Sequence, residues 1–250
     1  MKNTKIEWCD HTVNFWWGCS EISEACQNCY AREIARRFKR ECWGKKPRLF
    51  RLEKATEELL RLNQSARRRG VKETVFINSM SDFFDTDVAP EIRLSLWQLF
   101  ADAENLNILI LTKRANVMAN HLALYADKIP QNVHFGITAE NQNRLDERME
   151  ALADFKGRLF LSCEPMLGAI NISEFAGKID WVICGGEKAQ HARDFRLNYA
   201  VSLYRQCQKL KIPFFFKSVG STYVFVYDNA RPTVRARQYP AWHNEKGGNE

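Results

Sequence analysis

Short apolar runs rich in β-branched and aromatic residues recur at 12–17, 74–78, 107–111, 133–137, 158–162, 181–184 and 213–216. Most are nearly continuous in apolar character, the pattern of strands buried on both faces of a parallel sheet. Between them lie stretches of helical periodicity. The segment 89–103 carries Pro90 where a helix would begin and repeats apolar residues at Ile92, Leu96, Leu99 and Phe100; 141–153 and 195–210 behave alike. From the second run onward the runs start about 22–33 residues apart, the size of one βα unit. Seven units in order predict an α/β fold, a partial or complete parallel (β/α) barrel of the TIM type. An open doubly wound sheet is the rival, and no Gly-rich phosphate loop follows the first run to support it.

The first unit is longer than the others. Helices at about 30–41 and 52–69, joined through 45–50, both precede the second strand. A basic helical insertion over about 40–70 is therefore expected inside a barrel domain spanning 1–220. Beyond Lys217 the pattern dissolves. Within 221–250, residues 222–227 read as an edge strand and 228–250 as a basic, then Gly-rich, mobile tail.

The strands end in polar constellations: Asn78-Ser79-Met80-Ser81-Asp82, Thr112-Lys113-Arg114, Thr138-Ala139-Glu140-Asn141, Ser162-Cys163-Glu164-Pro165, Gly185-Gly186-Glu187 and Lys217. One such ending is commonly a helix cap or a solvated loop. Six in succession predict a shared site at the carboxyl-end face. Glu164 and Glu187 are candidate catalytic carboxylates, one of them with a raised pKa as an acid; two structural, hydrogen-bonded carboxylates would look the same. Cys163, like Cys184, could donate a hydrogen atom or line the site, although buried cysteines ordinarily just pack.

Composition bounds the class. The 250 residues are 45% hydrophobic and 27% charged, with a formal charge of +7. No apolar run approaches the roughly 18–20 residues of a membrane span. Residues 1–10 are polar and mixed in charge, unlike a signal peptide. A cytoplasmic protein without a membrane partner is expected, and its eight cysteines are then better read as ligands, reactive thiols or core fillers than as disulfides. The positive charge is clustered: nine Lys or Arg stand between Ala31 and Arg51, against Glu33 and Glu41. Arg36, Arg37, Arg40, Lys45, Lys46 and Arg48, with Trp43 as a stacking surface, are the candidate nucleic-acid-binding residues. A solvated helix face is the plainer alternative.

Three cysteines crowd into one polar loop, Cys19-x6-Cys26-x2-Cys29, just before the first helix. A helix N-terminus favours thiolates. Three thiolates leave one iron of a four-iron cluster open to a small chelating ligand. Zinc, which normally wants four closed ligands, stays open if Cys9 or His11 supplies the fourth.

These blocks resemble the phage-associated three-Cys-motif family, a domain of unknown function grouped with radical S-adenosylmethionine (SAM) proteins. The resemblance covers about 6–220 and rests on Ile6-Glu7-Trp8, Gly18-Cys19, Cys26-Gln27-Asn28-Cys29-Tyr30-Ala31, Asn78-Ser79-Met80-Ser81-Asp82, Leu111-Thr112-Lys113-Arg114, Asn132-Val133, Gly136 to Asn141, Glu164-Pro165 and Trp181 to Glu187. Val13-Asn14-Phe15 and Lys217-Ser218-Val219-Gly220 depart from its pattern. The first cysteine gap, six residues, also departs from the three usual in radical SAM proteins. The resemblance implies a 4Fe-4S cluster on Cys19, Cys26 and Cys29, with SAM as cofactor and an external electron donor. By position after the strands, Asn78, Ser79, Ser81 and Asp82 would hold the methionyl amine, Lys113 or Arg114 the carboxylate, and Thr138, Glu140 and Asn141 the ribose. The expected function is radical modification or repair of nucleic acid, DNA before RNA. A metal-stabilised nucleic-acid-binding protein without catalysis is the alternative.

Overall fold

The computed structural model describes residues 4–224 and 236–244. Among them, seven strands form a parallel sheet: β1 His11–Val13, β2 Glu73–Ile77, β3 Leu106–Thr112, β4 Val133–Thr138, β5 Leu159–Cys163, β6 Ile179–Gly185 and β7 Phe214–Ser218. Their order across the sheet is their order along the chain. A doubly wound sheet reverses that order at a switch point; this one does not, so the barrel-type winding holds and the open-sheet rival falls. The strands β1 and β7 end the order, as in a partial barrel. Helices α1 Tyr30–Arg37 and α2 Leu52–Arg69 separate β1 from β2. They are followed by α3 Pro90–Asp102, α4 Ala115–Tyr125 and α5 Gln142–Ala151, each leading into the next strand, and α6 Leu197–Leu210 leads into β7. The crossover from β5 to β6 is a 3-10 turn, Ser173–Lys178. Among the described residues, no helix is long and apolar enough to cross a membrane.

The chain divides into two compact units, one of Met1–Glu21, Ala31–Phe135 and Ala241–Glu250, the other of Ile22–Tyr30 and Gly136–Pro240. In the first, β1 pairs with β2 and β2 with β3, His11 opposite Val75 and Glu73 opposite Leu106. Thr74, Val75 and Ile77 are buried on both faces, as the continuous run required. Phe83 is the hub of the core, its ring 5.5 Å from both Trp16 and Trp97 and 5.3 Å from Phe84. Fully burying each such ring contributes about 1.5–3 kcal/mol. The helix α2 stops at Gly70, whose φ of 63° lets its N–H reach back to Ala66 and Arg67.

In the second unit, β5 pairs with β6 and β6 with β7. Gly136 is there for space: a Cβ would sit 2.3 Å from the Phe160 ring. The helix α5 is capped by Asn141, whose side chain accepts from the Arg144 N–H at 3.0 Å.

Three boundaries differ from expectation. The run 12–17 is not one strand. After Val13, Asn14 and Phe15 leave the ladder and bond instead to Met80 N and the Asn78 side chain, at 2.8 Å each. Trp16–Trp17 then pairs antiparallel with Leu49–Phe50. The first helix ends at Arg37, not 41, because Lys39 turns into the left-handed region, φ 54°. In the expected tail, Tyr223–Val224 pairs with Phe195–Arg196. Residues 236–244 are packed: the Trp181 indole donates to Gln238 O at 2.9 Å, and Trp242 stacks on His134 at 3.9 Å. The rest of that tail, 225–235 and 245–250, lies outside the described residues.

Candidate functional site

In the first unit, the segment after β2 braces the chain that leads to Cys19. Asn78 sits at φ 61°, and its side chain accepts from Phe15 N. Ser79 bonds Asn14 at 3.2 Å, Ser81 Oγ donates to Trp16 O at 3.0 Å, and Gly18 N donates to Met80 O at 3.0 Å. Gly18, at φ 106°, is obligatory: a Cβ would lie 2.0 Å from Cys42 O. Gly44 N bonds Cys19 O at 2.9 Å, so the basic insertion packs directly on the first cysteine.

Asp82 accepts from Thr112 Oγ1 at 2.6 Å, Lys113 N at 3.1 Å, Phe84 N at 2.9 Å and Arg114 Nη1 at 3.0 Å. Arg114, only 4% exposed, spends its other donors on the cysteine loop: Nη1 on Cys19 Sγ at 3.5 Å, Nη2 on Ser20 O at 3.0 Å and Ser20 Oγ at 2.9 Å. Burial pushes the Cys19 thiol up to about 12, the Asp82 charge adding to the rise and the Arg114 guanidinium opposing it. Cys19 is thus a neutral thiol here, and a metal taking it as ligand displaces a proton.

The second unit holds its part of the loop through carboxylates. Glu140, fully buried, is ion-paired with Arg148 and accepts from Ser23 Oγ, whose hydroxyl lies 3.8 Å from Cys26 Sγ. Arg148 also donates to the Thr138 carbonyl at the end of β4. Glu24 meets Asn141 Nδ2 at 2.6 Å and Arg144 Nη2 at 2.9 Å. Its own backbone amide, then Arg144, hold its carboxyl down at about 2. Asn28, beside Cys29, donates to Glu187 Oε2 at 3.0 Å and His191 O at 2.9 Å.

Several expectations are corrected. Glu187 is no acid with a raised pKa: burial alone would raise it, but Arg193 and Asn28 outweigh that and hold it below the usual carboxylate range. Glu164 has its own cation, Lys217 Nζ at 2.7 Å, and Gly185 leaves it room. Each carboxylate has its own partners, Arg193 and Asn28 for Glu187 and Lys217 for Glu164. Cys163 is fully buried in the core opposite Cys184, and burial drives its pKa far up, so it stays a neutral thiol. Arg48 is not part of the basic surface. Its buried guanidinium bonds Asp85 at 2.9 Å and Asp87 at 2.7 Å, and caps the carbonyls of Cys42, Gly44 and Lys46. Arg36, Arg37, Arg40, Lys45 and Lys46 are exposed, and Trp43 is half-buried.

Sequence reasoning missed Ser23, Glu24, Asn28, Arg144, Arg148 and Arg193. One signal was available. The six-residue first gap holds Ser20, Ser23 and Glu24, and the second gap holds Asn28, so the residues between the cysteines are the ones that tie the loop down.

Cys19, Cys26 and Cys29 are free, partly exposed thiols, the donor type that iron–sulfur clusters and zinc take. Among the described residues, no three His, Cys, Asp or Glu side chains converge as they do around a single metal ion. A four-iron cluster asks for a different arrangement, one thiolate per iron. By donor chemistry each of the three thiols is of the kind such a cluster takes.

No curated protein and no solved structure matches the chain. A family model described as "Protein of unknown function (DUF5131)" matches residues 3–242, and the chain belongs to that family.

Proposed function

We propose that this is an iron–sulfur enzyme of radical-SAM type that acts on nucleic acid, DNA before RNA, and takes electrons from an external donor. The observation that carries the proposal is the tethered thiol loop. Each cysteine has a polar residue within three positions that is fixed by a side chain just past a strand end: Ser20 by Arg114, Ser23 by Glu140 and Asn28 by Glu187. A loop serving only as a connection has no need of three such tethers. Cys19, Cys26 and Cys29 would hold a 4Fe-4S cluster, with SAM as the second cofactor. Bound together, the two supply one-electron cleavage chemistry and a hydrogen-abstracting radical. The chain's own contribution is to orient the thiols and, through Arg114, to favour the ionised form of Cys19. The exposed cations Arg36, Arg37, Arg40, Lys45 and Lys46 would bind phosphate.

One observation favours a second reading, a metal-stabilised nucleic-acid-binding protein without catalysis. Arg114, Glu140 and Asn141, assigned to SAM by position, are engaged in holding the loop, and Asp82 in holding Arg114. A single experiment separates the two. Anaerobically reconstituted protein is expected to bind close to four irons and four sulfides per chain, as a cubane cluster requires, and SAM is expected to change the paramagnetic spectrum of the reduced cluster. A spectrum indifferent to saturating SAM leaves the binding protein. A colourless protein with one stoichiometric zinc removes the cluster altogether.

A further inference from the structure

The aromatic rings at the edge of the basic insertion are sorted by strand geometry. Trp16 pairs across the ribbon with Phe50, and Trp17 with Leu49. Successive side chains on a strand point to opposite faces. Trp16 turns into the core, stacked 5.5 Å from Phe83. Trp17 turns the other way, where Phe38 meets it edge-on at 6.1 Å and the Arg51 guanidinium lies over its ring at 5.9 Å.

Phe38 is 65% exposed, far more than the 42% of Phe50. It stands at the end of α1 between exposed cations, Arg36 and Arg37 before it, Lys39 and Arg40 after it. Lys39 occupies a left-handed turn, φ 54°, that a glycine would fill more cheaply by about 1 kcal/mol. A solvated helix end explains the cations. It does not explain a phenyl ring left in water against an arginine-covered indole.

We infer that Phe38, Trp17 and Arg51 form a stacking face for an unpaired base, so that the bound nucleic acid is a single strand. The inference rests on the nucleic-acid reading above and narrows its substrate class. Its occupant follows from charge complementarity: phosphates on Arg36, Arg37, Lys39 and Arg40, and a base face on the Phe38 ring. A duplex keeps its bases stacked on one another and offers the ring nothing.

The test compares three fluorescent probes at fixed salt: a short single-stranded DNA, an abasic strand of the same length, and the corresponding duplex. The base-bearing strand is expected to bind about tenfold or more tightly than the abasic one. Phe38→Ala, at an exposed position that does not endanger folding, should remove that advantage and leave the abasic strand and the duplex unchanged, while Phe38→Trp should restore it. If Phe38→Ala weakens all three probes alike, or none, while binding still falls with salt, the stacking face is refuted and the nucleic-acid reading stands. Salt-insensitive or absent binding to every probe overturns both.

Discussion

Each unit holds its own stretch of the cysteine segment, and the two use opposite electrostatics. In the first, a cation reaches the sulfur itself: Arg114, backed by Asp82, donates to Cys19 Sγ. In the second, anions hold the neighbours of the thiols: Glu140 takes the Ser23 hydroxyl and Glu187 the Asn28 amide. A guanidinium beside a thiol favours its ionised form. A carboxylate there would oppose ionisation, and in the second unit the neutral Ser23 hydroxyl meets both Glu140 and the Cys26 sulfur. The difference separates a residue that tunes a thiol from residues that only position one.

The largest test of that distinction is Arg148→Ala. It leaves Glu140 buried without its cation, and such losses cost about 3–5 kcal/mol. Urea unfolding should show it, and Glu140→Gln in the same chain should recover part. A cost under about 1 kcal/mol would mean that Glu140 is not held as an anion.

Arg114→Met should cost less, about 1–3 kcal/mol, because Asp82 keeps its bonds from Thr112, Lys113 N and Phe84 N. Its signature is chemical. The apparent pKa of Cys19, read from the pH dependence of alkylation, should rise further, since the one group lowering it by direct donation is gone. An unchanged alkylation profile would reduce Arg114 to a structural tether.

Acid should loosen the units in sequence. In the first, burial lowers His121 and His134 from 6.5 to about 4. The unfolded chain therefore binds protons that the folded one refuses, and stability is full above pH 6.5 and falls as pH drops toward 4. In the second, Glu24 is depressed to about 2, so its contribution is present above about 4.5 and lost only as pH falls through 2. Hydrogen exchange followed from pH 7 to 3 should show the first unit losing protection before the second; simultaneous loss, or the reverse order, breaks the comparison. The smallest expected effect is that of Asn28→Ala. Removing its bonds to Glu187 and His191 should cost about 1 kcal/mol, and lower metal retention more than stability.

The strands were legible because burial on both faces leaves an unbroken apolar run, and each of the seven runs contains or overlaps a strand of the sheet. The break at Asn14 was not, since its partners, Ser79 and Met80, lie more than sixty residues away. Chemistry was legible by residue type but not by role. Cys19, Arg114, Glu140 and Glu187 all stand out as polar residues around apolar strands, yet which of them touches a thiol depends on where the loop folds back. Arg48 shows the limit most sharply. Inside a run of cations it reads as one more surface charge, and only Asp85, 37 residues on, turns it into a buried hub. Arg148 reads as the polar face of a helix for the same reason.

The insertion between β1 and β2 also bears on the order in which the sheet forms. Joining β1 to β2 closes a loop such as that between Asp10 and Thr74, 64 residues apart, whereas Arg158 and Ile179 at the β5–β6 step are 21 apart. Loop closure grows with the logarithm of length, so the first step carries about 1 kcal/mol more entropy loss than the second. Short β1 offers only a three-residue ladder in return. During refolding β1 should therefore dock late, and the cysteine loop that follows it should be ordered late as well. Pulse-labelling should find amides of β5 and β6 protected before those of β1. The thiols would then stay open to the surrounding solution through most of the chain's maturation, a long interval for loading a metal and an equally long one for oxidation.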